Sequence, residues 1–463
     1  MSAREQAHGW LDMVLTYTAM ADEPIITKFT QLNYLFMNKK IILFLATIIT
    51  FCIVALFSCE ELILDDFKSE NSADIAWVIT ATCLVFIMTP GLSFFYGGMV
   101  SQKNIISTML LSFMALGLIS LIWVSVGFSL SFGDSFYGLI GDPFQHILLK
   151  NVTLNHSKLS LEIPLLLFAL FQMKFAIIAP AITSGSFIER INFNAFLLFM
   201  SLFCLLIYCP LAHWTWHPDG FLNKWGVLDF AGGAVVHISA GFASLAGAIY
   251  LGKRKYNHLK SYNTSYVLLG TGMLWFGWFG FNSGSALGAN QDAILAFMTT
   301  NTASAMCMIT WLVMEGIKGH KIKVIDACIG AVVGLVIITP AAGFVNLSQS
   351  IFMGAFGGII CNLFLSFFKR FDIDDSLDVF ACHGMGGIIG LLFTGIFAKD
   401  VGLFYGETTT FFNHIYALII ISVFTFFGSL LIYNITALII PIRVSNEIEE
   451  KGLDFSIHGE SIN

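Results

Sequence analysis

The chain has 463 residues, of which 57% are hydrophobic and only 11% charged, and its mean hydropathy is +0.80. Soluble domains carry about a quarter charged residues, so the composition excludes a water-soluble protein and defines a polytopic membrane protein. The net charge of -7 is scattered without a basic tract for nucleic acid, and the nine cysteines lie mostly in apolar runs without CxxC spacing, as small membrane hydrophobes rather than disulfides or metal ligands.

Residues 1–36 are mixed and weakly amphipathic and carry no assignable signal. In 37–59 the pair Lys39 and Lys40 precedes an apolar core of signal-peptide length, and Leu56-Phe57-Ser58-Cys59 resembles a lipoprotein cleavage box except at Phe57. The stretch reads as a cleaved leader with translation starting at Met37; the alternative is an uncleaved extra helix. An acidic extracytoplasmic linker, 60–74, leads into a membrane domain at 75–442.

Apolar segments predict eleven spans near 75–99, 105–131, 162–186, 193–213, 230–252, 264–287, 293–314, 324–342, 350–368, 379–398 and 411–440. Pro340, Gly343 and the polar run NLSQS divide 324–368, which is too long for one helix. One set of loops holds Lys103, Arg190, Lys253, Arg254, Lys255, Lys260, Lys318, Lys321, Lys323, Lys369 and Arg370, with Arg443 in the tail; the alternate set holds only Lys150, Lys158, Lys224 and Lys399. The basic side is expected to be cytoplasmic, which puts the mature N-terminus outside and the tail, 443–463, inside. A leader at 37–59 is what would deliver such an N-terminus.

Two stretches echo one another. In Asp229–Tyr250 an Asp lies eight residues before His237 and Gly241 four after it; in Asp375–Gly390 the same spacing relates Asp375, His383 and Gly387. An ionisable side chain in a membrane helix is costly and marks a pathway or relay by default. Five spans end with the His237 helix and five more with the His383 helix. An odd number per copy inserts the second copy inverted, so a central site is expected where the halves meet; the eleventh span stands outside the repeat.

Three aromatic clusters can be aimed at that axis. FQMKF places Phe171 and Phe175 four apart on one helix face. AHWTWHPDG holds Trp216 at an outer mouth, and GWFGFNSGSA puts Phe281 and the Ser285 hydroxyl one turn apart. Singly, such aromatics read as interfacial anchors. Together with the histidines they resemble the ammonium transporter family (Amt/Mep/Rh) in TPGLSFFYGGMVSQKN (89–104), FQMKFAIIAPAITSGSFIERINF (171–193), DFAGGAVVHISAG (229–241), GWFGFNSGSA (277–286), ITPAAG (338–343), DVFACHGMGGIIG (378–390) and GLDFSIHGE (452–460).

The resemblance implies an all-α integral membrane fold of eleven helices, a 5+5 inverted repeat plus one, assembled as a homotrimer with a pore in each subunit of the cell membrane. It implies ammonium recruitment at Trp216, Ser285, Phe171 and Phe175, a gate of Phe175 and Phe281, a twin-histidine lumen of His237 and His383, and a structural acid, Asp229. The substrate would be ammonium, ammonia or methylammonium, with no cofactor, no metal and no enzymatic step. The tail residues Gly452, Leu453, Asp454, His458, Gly459 and Glu460 match the segment that meets the PII nitrogen-signalling protein. A sensor of the same family would need a larger output domain than the short tail here, and a metalloenzyme would need a third ligand near the histidines. Lys174 departs from the pattern. Its ammonium either snorkels along an apolar surface or faces the mouth and repels the cation.

A cleaved leader predicts a mature chain beginning near residue 59. N-terminal sequencing of membrane-extracted protein is expected to find nothing upstream, and intact peptides from 41–58 would refute it.

Overall fold

The computed structural model describes residues 71–256 and 262–462, and scattered residues of 42–56, all of them helical. The expected extension 1–36, most of the leader 37–59 and the linker up to residue 70 lie outside the described residues. The chain divides into two units, Met1–Glu60 and Glu61–Asn463, and the second holds the membrane domain.

Among the described residues, nine helices are long and apolar enough to cross a membrane. Five lie in the first half: α1 Ser72–Met99, α2 Gln102–Phe132, α3 Leu165–Ser186, α4 193–216 and α5 Gly233–Leu251. In the second half, α6 Thr264–Gly284 is long but more polar, and α8 Val324–Ile338 is apolar but only 15 residues. The others are α7 Gln291–Ile317, α9 Leu347–Phe368, α10 Phe380–Phe397 and α11 Thr409–Ile439. Every predicted span thus has a helix, and the 324–368 run breaks between α8 and α9, where Pro340 cannot donate a backbone hydrogen bond. A two-stranded ribbon, Ser135–Phe136 with Ile140–Gly141, sits in the loop after α2.

The helices are apolar on nearly all faces, as burial in lipid and in one another demands. Small residues set how close they come. α5 and α10 cross where a Cβ on Gly241 would stand 2.2 Å from the Gly384 Cα, so only glycine permits the contact. Both helices begin with a widened π-type turn, Gly233–Ile238 in α5 and Phe380–Gly384 in α10, and each turn carries its helix's histidine. Such turns concentrate at functional sites.

The tail end of the bundle is tied by a buried ionic cluster. Arg254 makes a two-pronged contact with Asp374 (2.6 and 2.8 Å) and reaches Glu189 at 2.9 Å. Glu189 also accepts from Ser101 and Asn104, and Arg190 donates to the Asp374 carbonyl and the Ser376 hydroxyl. Burial pushes the Glu189 carboxyl up, but hydrogen bonds from Asn104 and Ser101 and the charge of Arg254 outweigh it and hold the carboxyl below its usual range. Asp374 behaves alike, with Arg254 outweighing burial. Depressed carboxyls contribute stability above their unfolded pKa and lose it as pH falls through the folded value.

Removing one member of such a cluster strands buried charge, which costs about 3–5 kcal/mol. Arg254→Leu is therefore expected to lower the thermal midpoint of detergent-solubilised protein by several degrees. A midpoint equal to wild type would show that the cluster contributes nothing net.

Candidate functional site

The site starts at the C-terminal end of α4. The Trp216 indole N–H donates to the Asp229 carbonyl at 3.0 Å, which fixes the ring at the head of α5. The Asp229 carboxylate accepts four backbone N–H bonds, from Gly232, Gly233, Ala234 and Val235, at 2.6–3.2 Å. Both of its oxygens are therefore spent on the orphan donors and positive end of α5. Gly232 enters the helix at φ 105°, a conformation that favours glycine.

From Trp216 a line of rings leads inward. Phe175 meets Trp216 edge-on at 6.0 Å between centroids, touches Phe171 at 5.0 Å and stacks on Phe281 at 4.2 Å with a 28° tilt. All three phenylalanines are buried. Ser285 donates its hydroxyl to the Phe281 carbonyl at 2.8 Å, and its neighbour Gly284 packs against the Phe171 ring. Phe281 then lies 5.9 Å from His237.

The two imidazoles meet with Nδ1 to Nδ1 at 3.3 Å. One nitrogen must donate and the other accept, so the rings share a single proton and are opposite tautomers. Their far nitrogens then differ, one donating and one accepting, and exchanging the two takes a proton onto one far nitrogen and a proton off the other as well as movement of the shared one. His237 Nε2 is buried and has no protein partner. A narrow cavity with room for about one water runs beside both rings, walled by Met88, Leu92, Phe95, Ile178, Leu274, Trp278, Phe281 and Val332. A second, equally narrow, shares Phe95, Val332 and His383 and continues toward the tail end past Tyr96, Leu377, Val379 and Cys382.

The structure thus brings Trp216, Phe171, Phe175, Phe281, His237 and His383 into one file, with Ser285 joined through Phe281 and Asp229 behind Trp216. It also adds a residue that the sequence reading missed. Trp278 stacks on His237 at 5.2 Å and 22° and donates to the Thr339 hydroxyl at 2.9 Å. Its signal was the spacing of three from Phe281, which places both on one face of α6. Lys174 leaves α3 away from the file: its Nζ stands 5.4 Å from the centroid of Phe86, a half-exposed ring on the outer side of α1. Of the two placements, the one away from the ring file is observed. No group of three metal-ligating side chains occurs among the described residues.

The tail is docked on the bundle. Leu453 N–H donates to Asn104, and the Asp454 carboxylate caps α2 by accepting from Ile106 and Ser107 at 2.9 and 2.7 Å. The His458 ring packs edge-on against Phe193 at 5.2 Å. Gly452 and Gly459 turn the chain with positive φ, and Glu460 donates its N–H to the Asp454 carbonyl.

A bundle of apolar helices around a file of rings and a buried imidazole pair is the architecture of a multi-pass membrane transporter. Residues 76–462 match the Ammonium Transporter Family, and the chain belongs to that family. It is 43% identical over 397 residues to an ammonium transporter of Aquifex aeolicus, covering 84% of this chain and 93% of that one. To the ammonium transporter of Bacillus subtilis it is 44% identical over 399 residues, with 84% and 97% covered. The crystal structure of Saccharomyces cerevisiae Mep2 superposes with a TM-score of 0.77 at 32% identity, over 82% of this chain and 90% of that one. A sensor Amt protein superposes with the same TM-score at 31% identity, over 83% and 98%.

Because Lys174 points to Phe86 and not to the ring file, Lys174→Thr is expected to leave the apparent half-saturation concentration for methylammonium uptake unchanged at low and high salt. A several-fold fall at low salt alone would place the ammonium group at the mouth instead.

Proposed function

We propose that the chain carries ammonium across the membrane by recruiting the cation at Trp216, Ser285, Phe171 and Phe175 and passing ammonia beside His237 and His383. The observation that carries this reading is the file itself, in which an indole and two stacked phenyl rings lead to a proton-sharing imidazole pair in an apolar cavity. An indole face attracts a cation by roughly 0.5–2 kcal/mol, and a Ser oxygen accepts an N–H bond that potassium cannot offer. Phe175 and Phe281 act as the gate. Water is lost against the rings, and the substrate gives up a proton before or during passage. In the lumen ammonia donates to one imidazole nitrogen and accepts from another. Asp229 holds the backbone at the mouth rather than the substrate.

The wider reading is an eleven-span, 5+5 inverted repeat plus one, in a homotrimer of the cell membrane with the tail cytoplasmic. The inverted repeat is supported by the matched Asp-His-Gly spacing and the paired π-type turns, the side of the tail by the loop charges, and the trimer and the cell membrane by the family resemblance. The docked tail, Gly452 to Glu460, is the segment a PII-type regulatory protein would meet, and the exposed ring of Phe455 projects from it.

Uptake of labelled methylammonium into cells lacking their own ammonium transporters tests the reading. Wild type is expected to restore uptake, and Trp216→Leu to raise the half-saturation concentration about 2- to 30-fold, the equivalent of the cation–π range. Absence of uptake by well-expressed wild type would overturn it.

A further inference from the structure

The two acids that precede the paired histidines are not equivalent. Asp229 has both oxygens saturated by four N–H donors, whereas Asp375 accepts one close backbone bond, from Phe380 N–H at 2.7 Å, with the Ser186 hydroxyl and Val379 N–H as weaker neighbours, and its Oδ1 has no partner in good hydrogen-bond geometry although the residue is buried. An unsatisfied carboxylate oxygen inside a protein is costly, and a fold that merely needed a cap would not have to leave one.

The charges around it point the same way. Glu189 and Asp374 share Arg254, Arg190 stands 4.0 Å from Asp374, and Lys369 pairs with Asp378 at 3.0 Å. Four acids therefore face three bases, and of these four Asp375 is the one for which no cation stands at ion-pair distance among the described residues. It heads the run whose Leu377 and Val379 wall the tail-end cavity, and Leu377 N–H is held by the carbonyl of Gly185, whose Cα side faces the Tyr96 ring of the same wall.

We propose that Asp375 forms a second ammonium subsite, at the tail end of the lumen, with its free Oδ1 as acceptor for an N–H of the cation. The subsite rests on the ammonium reading above and takes a small hydrogen-bonding cation. It differs in kind from the outer site. Trp216 and the phenyl rings attract by ring faces and leave the cation its choice of direction; Asp375 offers one directed oxygen and a whole charge. Ammonia that regains a proton at that end is held there as ammonium before it leaves, and ammonium entering from that end binds there first.

The titration of the site follows. Burial, then the charge of Asp378, push the Asp375 carboxyl up to about 6 against hydrogen bonds from Phe380 N–H, the Ser186 hydroxyl and Val379 N–H. Asp378 just before α10, Cys382 on α10, Tyr96 on α1 and Arg190 after α3 are the titratable groups that face it, and Lys369 after α9 is engaged by Asp378. The cation-binding form is the carboxylate, so the subsite weakens as the pH at the tail end falls through about 6. Methylammonium stays protonated over that range and does not confound the measurement.

The test uses membrane vesicles of both orientations, told apart by protease access to the tail, and measures half-saturation for labelled methylammonium entering from each side. Asp375→Asn keeps an acceptor for Phe380 N–H and removes the charge. It is expected to raise half-saturation several-fold from the tail side and to leave the Trp216 side unchanged, while Asp375→Glu retains part of the tail-side affinity. In wild type, acidifying the tail side below pH 6 is expected to reproduce the Asp375→Asn effect on that side alone, which decides the matter even if the variant fails to fold. Equal effects on both sides, or none, would reduce Asp375 to a helix cap and overturn the subsite while leaving the ammonium reading intact. Wild-type vesicles that admit no methylammonium from either side would overturn both.

Discussion

The structure depends on a contact that contains no side chain. α5 and α10 approach until the backbones of Gly241 and Gly384 touch, and only at that separation can imidazoles on the preceding turns come within 3.3 Å of one another. Dispersion at such a crossing is dense, but its larger effect is to fix position. The histidines are positioned by the helix crossing, by one another and, at His237, by the Trp278 ring, and His237 Nε2 is left without a protein partner beside the cavity. The π-type turns do the remaining work, because a widened turn rotates each ring away from the regular helical face.

Electrostatics at the two ends are handled differently. At the Trp216 end Asp229 is consumed by the N-terminus of α5, so in the proposed function the attraction for a cation falls to aromatic faces and a hydroxyl. At the tail end, full charges are gathered in the Glu189, Arg254, Asp374 and Arg190 cluster. These groups are hidden from lipid and from one another's repulsion by two-pronged hydrogen bonding. The cluster also joins remote parts of the chain: Asn104 binds both Glu189 and the tail at Leu453.

The axis of the molecule was legible in the sequence because it is written twice. An ionisable residue is so costly in a membrane helix that His237 and His383, at one spacing in two halves, could hardly be packing alone. Phe171 and Phe175 were legible through their spacing of four, and the split between α8 and α9 through Pro340. Trp278 was not, since a tryptophan in an apolar run reads as an interfacial anchor until its stacking partner is known. Lys174 was ambiguous because a spacing of three from Phe171 fixes a helix face only to within a wide sector, and Phe86, which receives it, belongs to another helix. The tail read as a surface for a partner; that Asp454 first serves as the cap of α2 depends on a contact between the two ends of the domain, which no local pattern encodes.

The stacking of Phe175 on Phe281 has a consequence for the cell as well as for the substrate. In the proposed function these rings, 4.2 Å apart, stand across the approach from Trp216 to the imidazoles. A continuous thread of water through a membrane protein would let protons run down the transmembrane voltage, dissipating about 2.3 kcal/mol for each charge per 100 mV. With the rings closed at rest and an apolar cavity behind them, the thread is cut, so a bilayer crowded with copies of this protein keeps its electrical insulation between one passage and the next.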